Sequence, residues 1–116
     1  ADLRREAGGA DMGPSPKEYL LTSLLTCTAM TIRTFYENQN WPGSRLDSVE
    51  VHAEEYGTHP HVPAGIRLRI ALHGALSEEQ QQRLLRAASH CPVKQVLMGR
   101  MAEGIGTVLV TAEDTR

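Results

Sequence analysis

Cys27 and Cys91 are the residues best suited to covalent chemistry in this chain, because a cysteine thiolate is both a nucleophile and a reversible oxidation site. The sequence holds two cysteines, which permits one intramolecular bridge and argues against a disulfide-stapled secreted domain. Cys27 lies inside an apolar stretch, where residue type alone leaves two readings open: an inert buried thiol or a reactive one. Cys91 stands between His90 and Pro92, a pattern that starts a helix, and the unpaired N–H groups of a first helical turn favour a thiolate. A bridge between them requires Cα atoms within about 7 Å. Two packed helices allow that, but sequence alone does not show it.

The other chemistry-bearing residues carry weaker signals. The chain has five histidines, of which His59 and His61 flank Pro60 in a loop. A metal site there would need Glu54, Glu55 or His52 as further ligands, and the spacing matches no established zinc pattern, so no metal and no cofactor are expected. His52 and His73 fall on positions expected to face solvent. No nucleophile-elbow serine and no phosphate-cradling glycine loop is present. Residues 8–13 (GGADMG) resemble a dinucleotide fingerprint only superficially, because no strand precedes them.

The elements that must position the thiols are legible from spacing and punctuation. Residues 8–16 concentrate glycine and proline and read as a loop. Ser15, Pro16 and Glu18 form a helix start: the serine accepts from an early N–H, and proline fits where no intrahelical donor is required. The helix is predicted to run from Pro16 to about Tyr36. Leu20, Leu24, Cys27, Thr31 and Phe35 form one stripe and Leu21, Leu25, Thr28 and Ile32 an adjacent one, which predicts burial on more than one side. Asn40–Gly43 ends it. Alternating residues around Val49–Ala53 and Ile66–Leu72 predict two half-buried strands in an antiparallel hairpin with a long connection. Ser77 with Gln80 is a capping box opening a helix to about His90. Cys91–Pro92–Val93 begins a short helical run, with Val93, Val96, Leu97 and Met101 inward, broken by Gly104 and Gly106. Thr107–Thr111 is predicted as a last strand. The order of helix, two strands, two helices and a strand is α+β.

Composition narrows the functional classes. The chain of 116 residues is 41% hydrophobic and 22% charged, values of a folded single domain. A formal net charge of −2 with no Lys/Arg stripe lacks the footprint of a nucleic-acid binder. No apolar run approaches the 18 or so residues that span a bilayer, and no signal segment is visible, so no membrane partner and a cytoplasmic location are expected. Aromatics make up only 4%, which predicts a core of Leu, Val, Ile, Ala and Met. A domain this small buries about two-thirds of its unfolded surface, and oligomerisation would hide more.

Residues 8–42 (GGADMGPSPKEYLLTSLLTCTAMTIRTFYENQNWP) and 76–99 (LSEEQQQRLLRAASHCPVKQVLMG) together resemble the OsmC/Ohr family of thiol peroxidases. The specific elements are Gly-Pro-Ser-Pro, a helix carrying Cys-Thr-Ala-Met-Thr, and Cys-Pro-Val far downstream. The pattern is more similar to the OsmC-like branch than to the hydroperoxide-resistance branch. The resemblance covers nearly the whole chain and implies one OsmC-like domain over residues 1–116, lacking N-terminal strands. The first residue is Ala rather than Met, consistent with that expectation. It also implies an intertwined homodimer in which antiparallel sheets wrap around central helices, with active sites at the subunit interface.

The same resemblance assigns roles. Cys27 matches the peroxidatic cysteine and Cys91 the resolving one. The implied substrate is an organic hydroperoxide, and the implied reductant is a dithiol or a lipoylated protein. An Arg from the N-terminal region, held by a Glu after the loop proline, activates the thiolate in the family; the candidates here are Arg4, Arg5 and Glu18, with Lys17 directly after Pro16. The alternative reading is a dimer of the same fold with weak or no catalysis, acting as a redox-responsive or apolar-ligand-binding module.

Overall fold

The structure, a computed structural model, describes residues 3, 5–10 and 12–111. Helix α1 spans Pro16–Glu37, strands β1 and β2 span Arg45–Tyr56 and Gly65–Ala75, and helices α2 and α3 span Glu78–Ala88 and Pro92–Leu97. A 3-10 turn, Arg5–Ala7, precedes them. Of the three predicted helix starts, those of α1 and α2 are closed capping boxes. The Ser15 Oγ accepts from the Glu18 amide at 3.2 Å while the Glu18 carboxylate accepts from the Ser15 amide at 3.2 Å. Ser77 and Gln80 do the same for α2 at 3.1 and 2.9 Å. Each reciprocal pair satisfies two amides that the helix itself leaves orphaned.

Strands β1 and β2 form the antiparallel hairpin, with Val51 opposite Ile70 and Ala53 opposite Leu68. Period-two alternation turns Val49, Val51, Ile66, Leu68 and Ile70 toward the helices and leaves Glu50, His52, Glu54, Arg67 and Arg69 in water. The register slips between Leu46 and Ser48, a bulge that bends the hairpin base. Gly74 answers it with φ +150, where a Cβ would run into the Arg45 carbonyl. At the hairpin tip the His59 Nδ1 accepts from the amides of His61 and Val62 at 3.0 and 2.8 Å. His52 and His73 are exposed as expected, and both reach the Glu50 carboxylate, at 2.9 and 3.4 Å. Their donors pull that carboxyl below its ordinary 4.5, the His52 hydrogen bond contributing most.

The core is built where α1, the hairpin base and α2 meet: Ile32, Leu46, Leu84 and Ala88 are buried, with Val49, Ile70 and Leu72 packed against them. Aromatic residues contribute more than their low abundance predicts. Phe35, Tyr36 and Trp41 pack on this cluster, and the Arg83 guanidinium lies 5.2 Å from the Trp41 ring centre and 5.9 Å from that of Phe35. Arg33 donates to the Leu46 carbonyl at 2.7 Å, tying α1 to the start of β1.

Three expectations are corrected. Helix α1 is buried along one stripe only, Leu24, Thr28 and Ile32, while Tyr19, Leu20 and Met30 are exposed. A two-stranded sheet and two short helices do not have enough surface to wrap a 22-residue helix. Residues 107–111 form no strand among the described residues: Val108 and Val110 alternate with Leu109, but a strand exists only with a neighbour, and Leu109 is 100% exposed. Helix α3 stops at Leu97, earlier than predicted, because Gly99 takes φ +76 and lets the Gly99 and Arg100 amides close on the Val96 and Gln95 carbonyls. None of its residues is buried, so Val96, Leu97 and Met101 do not face inward as expected. The radius of gyration, 18.4 Å, exceeds the roughly 13 Å of a compact chain this long.

Candidate functional site

The two cysteines, distant in sequence, meet where α1 packs against α3. Cys27 is half-buried and lines an open cleft of about 790 Å³ along the uncovered side of α1, together with Tyr19, Met30, Phe35 and Pro92. Cys91 is 0% exposed and caps α3, in extended backbone with φ −60 and ψ 122. Both thiols are free. The periodicity of α1 explains the division of labour: Cys27 falls on the boundary between the buried stripe and the cleft, whereas Thr28, one residue on, points to the core.

Thr28 is the one buried polar residue among the described residues, 0% exposed. Its hydroxyl donates to the Leu24 carbonyl at 2.7 Å, one turn back. It also lies against the Cys91 sulfur. Burial pushes the Cys91 thiol up, but donors from Cys27, the Lys94 amide, the Thr28 hydroxyl and the Val93 amide together outweigh it and hold the thiol below its ordinary 9.0. As the α3 cap, the sulfur makes no capping hydrogen bond of full geometry, so the amide contribution is that of nearby dipoles rather than closed bonds. The Cys91 sulfur thus faces donors on two sides, from Cys27 and Thr28 of α1 and from the amide dipoles at the start of α3.

The expected supporting residues are placed unevenly. Glu18 is committed to the capping box at the start of α1. Lys17 pairs with Glu55 of β1 at 3.1 Å. Arg5 is exposed in the 3-10 turn and makes no ion pair among the described residues, and Arg4 lies outside the described residues. The cleft wall beside Cys27 carries no Lys or Arg among the described residues. No group of three or more His, Cys, Asp or Glu side chains is arranged to hold a metal ion among the described residues. Thr28 is the site residue that sequence reasoning missed. The available signal was a hydroxyl on the apolar stripe, four residues after Leu24 and next to a cysteine.

A long helix flanked by an antiparallel hairpin and a short cysteine-capped helix defines an α+β scaffold that brings two free thiols together. The OsmC-like protein family matches residues 8–102, so the chain belongs to the OsmC-like family. The fold is similar to that of an OsmC-like hydroperoxide resistance protein from Jannaschia sp. CCS1, with a TM-score of 0.64 at 22% identity, over 90% of this chain and 71% of that one. It is also similar to the organic hydroperoxide resistance protein OsmC of Legionella pneumophila, with a TM-score of 0.57 at 22% identity, over 84% of this chain and 72% of that one. No curated protein matches the chain. No helix among the described residues is long and apolar enough to cross a membrane.

Proposed function

We propose that the protein is a cysteine-based peroxidase that reduces organic hydroperoxides. The observation that carries this reading is the pairing of a half-buried thiol on an open apolar cleft, Cys27, with a fully buried thiol behind it, Cys91. The Cys27 thiolate attacks the terminal peroxide oxygen, the O–O bond breaks, and the alkoxide leaves and takes a proton to become the alcohol. Cys27 is then a sulfenic acid. Cys91, supported as thiolate by its donors, attacks the Cys27 sulfur and expels hydroxide, which leaves as water after protonation, and a Cys27–Cys91 disulfide forms. A dithiol or lipoylated protein of the cytoplasm restores both thiols by exchange. The apolar cleft wall selects alkyl or aryl peroxides over hydrogen peroxide by burying their carbon.

Residues 1–116 act as one OsmC-like domain in this reading, and a second copy covers the Cys27-bearing side of α1, bringing Arg4 or Arg5 with Glu18 to bear on Cys27. The absence of Lys and Arg from the described cleft wall favours a second reading, in which the same fold is a redox-responsive or apolar-ligand-binding module with little turnover. Single variants separate the two. Under the peroxidase reading Cys27→Ser abolishes peroxide consumption, and Cys91→Ser still consumes one equivalent and stops at a trapped sulfenic acid. Unchanged consumption in Cys27→Ser overturns it.

A further inference from the structure

A second cleft, of about 740 Å³, lies on the other side of α1 and does not include either cysteine. Its walls are the first turns of α1 (Leu20, Leu24), the inward face of β2 (Leu68, Ile70) and the end of α2 (Leu85), with Val62 and Pro63 of the hairpin tip closing one edge. This size and lining are those of a small-molecule site, apolar with a few polar groups. The polar groups are Lys17, Glu55, His61, Ser89 and Lys94. Lys17 and Glu55 neutralise each other at 3.1 Å. Lys94 is half-buried and has no anionic partner among the described residues, so the cleft carries one uncompensated positive charge beside an apolar channel.

We propose that this cleft binds an alkyl carboxylate, with the chain along Leu20, Leu68 and Leu85 and the carboxylate on Lys94. A neutral hydrocarbon would leave the ammonium partly desolvated and unpaired, and a polyanion would find only one cation. A monoanion with a hydrocarbon tail meets both demands. The hairpin tip forms one wall of the cleft. Its shape is held by the His59 Nδ1, which accepts two amides and must be unprotonated to do so. The site requires no thiol chemistry and stands apart from the peroxidase reading.

Calorimetric titration of the full chain with decanoate and with its methyl ester tests the inference. Decanoate is expected to bind about tenfold more tightly than the ester, the effect of one charge-assisted hydrogen bond. Lys94→Gln should erase that difference while leaving ester binding unchanged, and Leu85→Glu should weaken both. Leu85 is 39% exposed and tolerates the change without loss of the fold, which circular dichroism checks. Met30→Glu, in the cysteine-bearing cleft, should alter neither ligand, and binding should persist in the Cys27→Ser, Cys91→Ser protein whether or not the chain is a peroxidase. Three results overturn the inference: no binding of either ligand, as when a second copy or the apolar segment 105–110 fills the cleft; decanoate affinity unchanged by Lys94→Gln; or loss of binding in Met30→Glu.

Discussion

Thr28→Val is the substitution that best separates what the thiol site needs from what the fold needs. Valine keeps the branched shape and removes the hydroxyl, and with it the 2.7 Å hydrogen bond to the Leu24 carbonyl. That bond contributes about 0.5–1.5 kcal/mol net. The methyl that replaces the hydroxyl regains about 0.8 kcal/mol of apolar burial, because the site is 0% exposed. Fold stability should therefore change by less than about 1 kcal/mol. The ionised form of Cys91, in contrast, loses a donor, a contribution of about 1.5–3 kcal/mol to that form. Since 1.4 kcal/mol is about a factor of ten, closure of the disulfide after peroxide oxidation should slow at least roughly tenfold at neutral pH. Quenched-flow mass spectrometry reads that closure directly, and urea unfolding reads stability. Thr28→Ser should restore the rate. Wild-type closure by Thr28→Val across the pH range would refute the role given to the hydroxyl.

Two further outcomes follow from the core and from the shifted thiol. Ile32→Ala removes a fully buried side chain from the cluster with Leu46, Leu84 and Ala88, and should cost about 2–5 kcal/mol in urea denaturation. The Cys91 thiol is lower in the folded chain than its ordinary 9.0, so the folded state binds fewer protons than the unfolded state between those values. Stability should rise as pH increases toward 9.0 through that window and be lost as pH falls through the folded value. Cys91→Ala should flatten that part of the curve.

The helices and hairpin were legible in the sequence because their signals are local. A serine three residues before Glu18 or Gln80 closes a capping box regardless of what surrounds it, and alternation at 49–53 and 66–72 survives any register. Residues 107–111 show the limit. Val108, Leu109 and Val110 have strand chemistry, yet a strand is a relation between two segments, and among the described residues the sheet consists of β1 and β2. The apolar stripes of α1 had the same defect: periodicity says which face avoids water, not what covers it, and among the described residues only Leu24, Thr28 and Ile32 of this helix are fully buried. The thiol pair was half legible. The position of Cys91 at the start of α3 was readable from Pro92, but its meeting with Cys27 depends on how α3 packs on α1, and the role of Thr28 depends on that same contact.

The central claim is that Cys27 and Cys91 form one redox unit driven by organic peroxide. A free-thiol count with intact mass, after one equivalent of tert-butyl hydroperoxide or of hydrogen peroxide is added to the reduced protein, tests it most directly. Both thiols are expected to be lost rapidly, with a mass decrease of two hydrogens, faster with the organic peroxide. Persistence of both thiols for many minutes with either peroxide would contradict it.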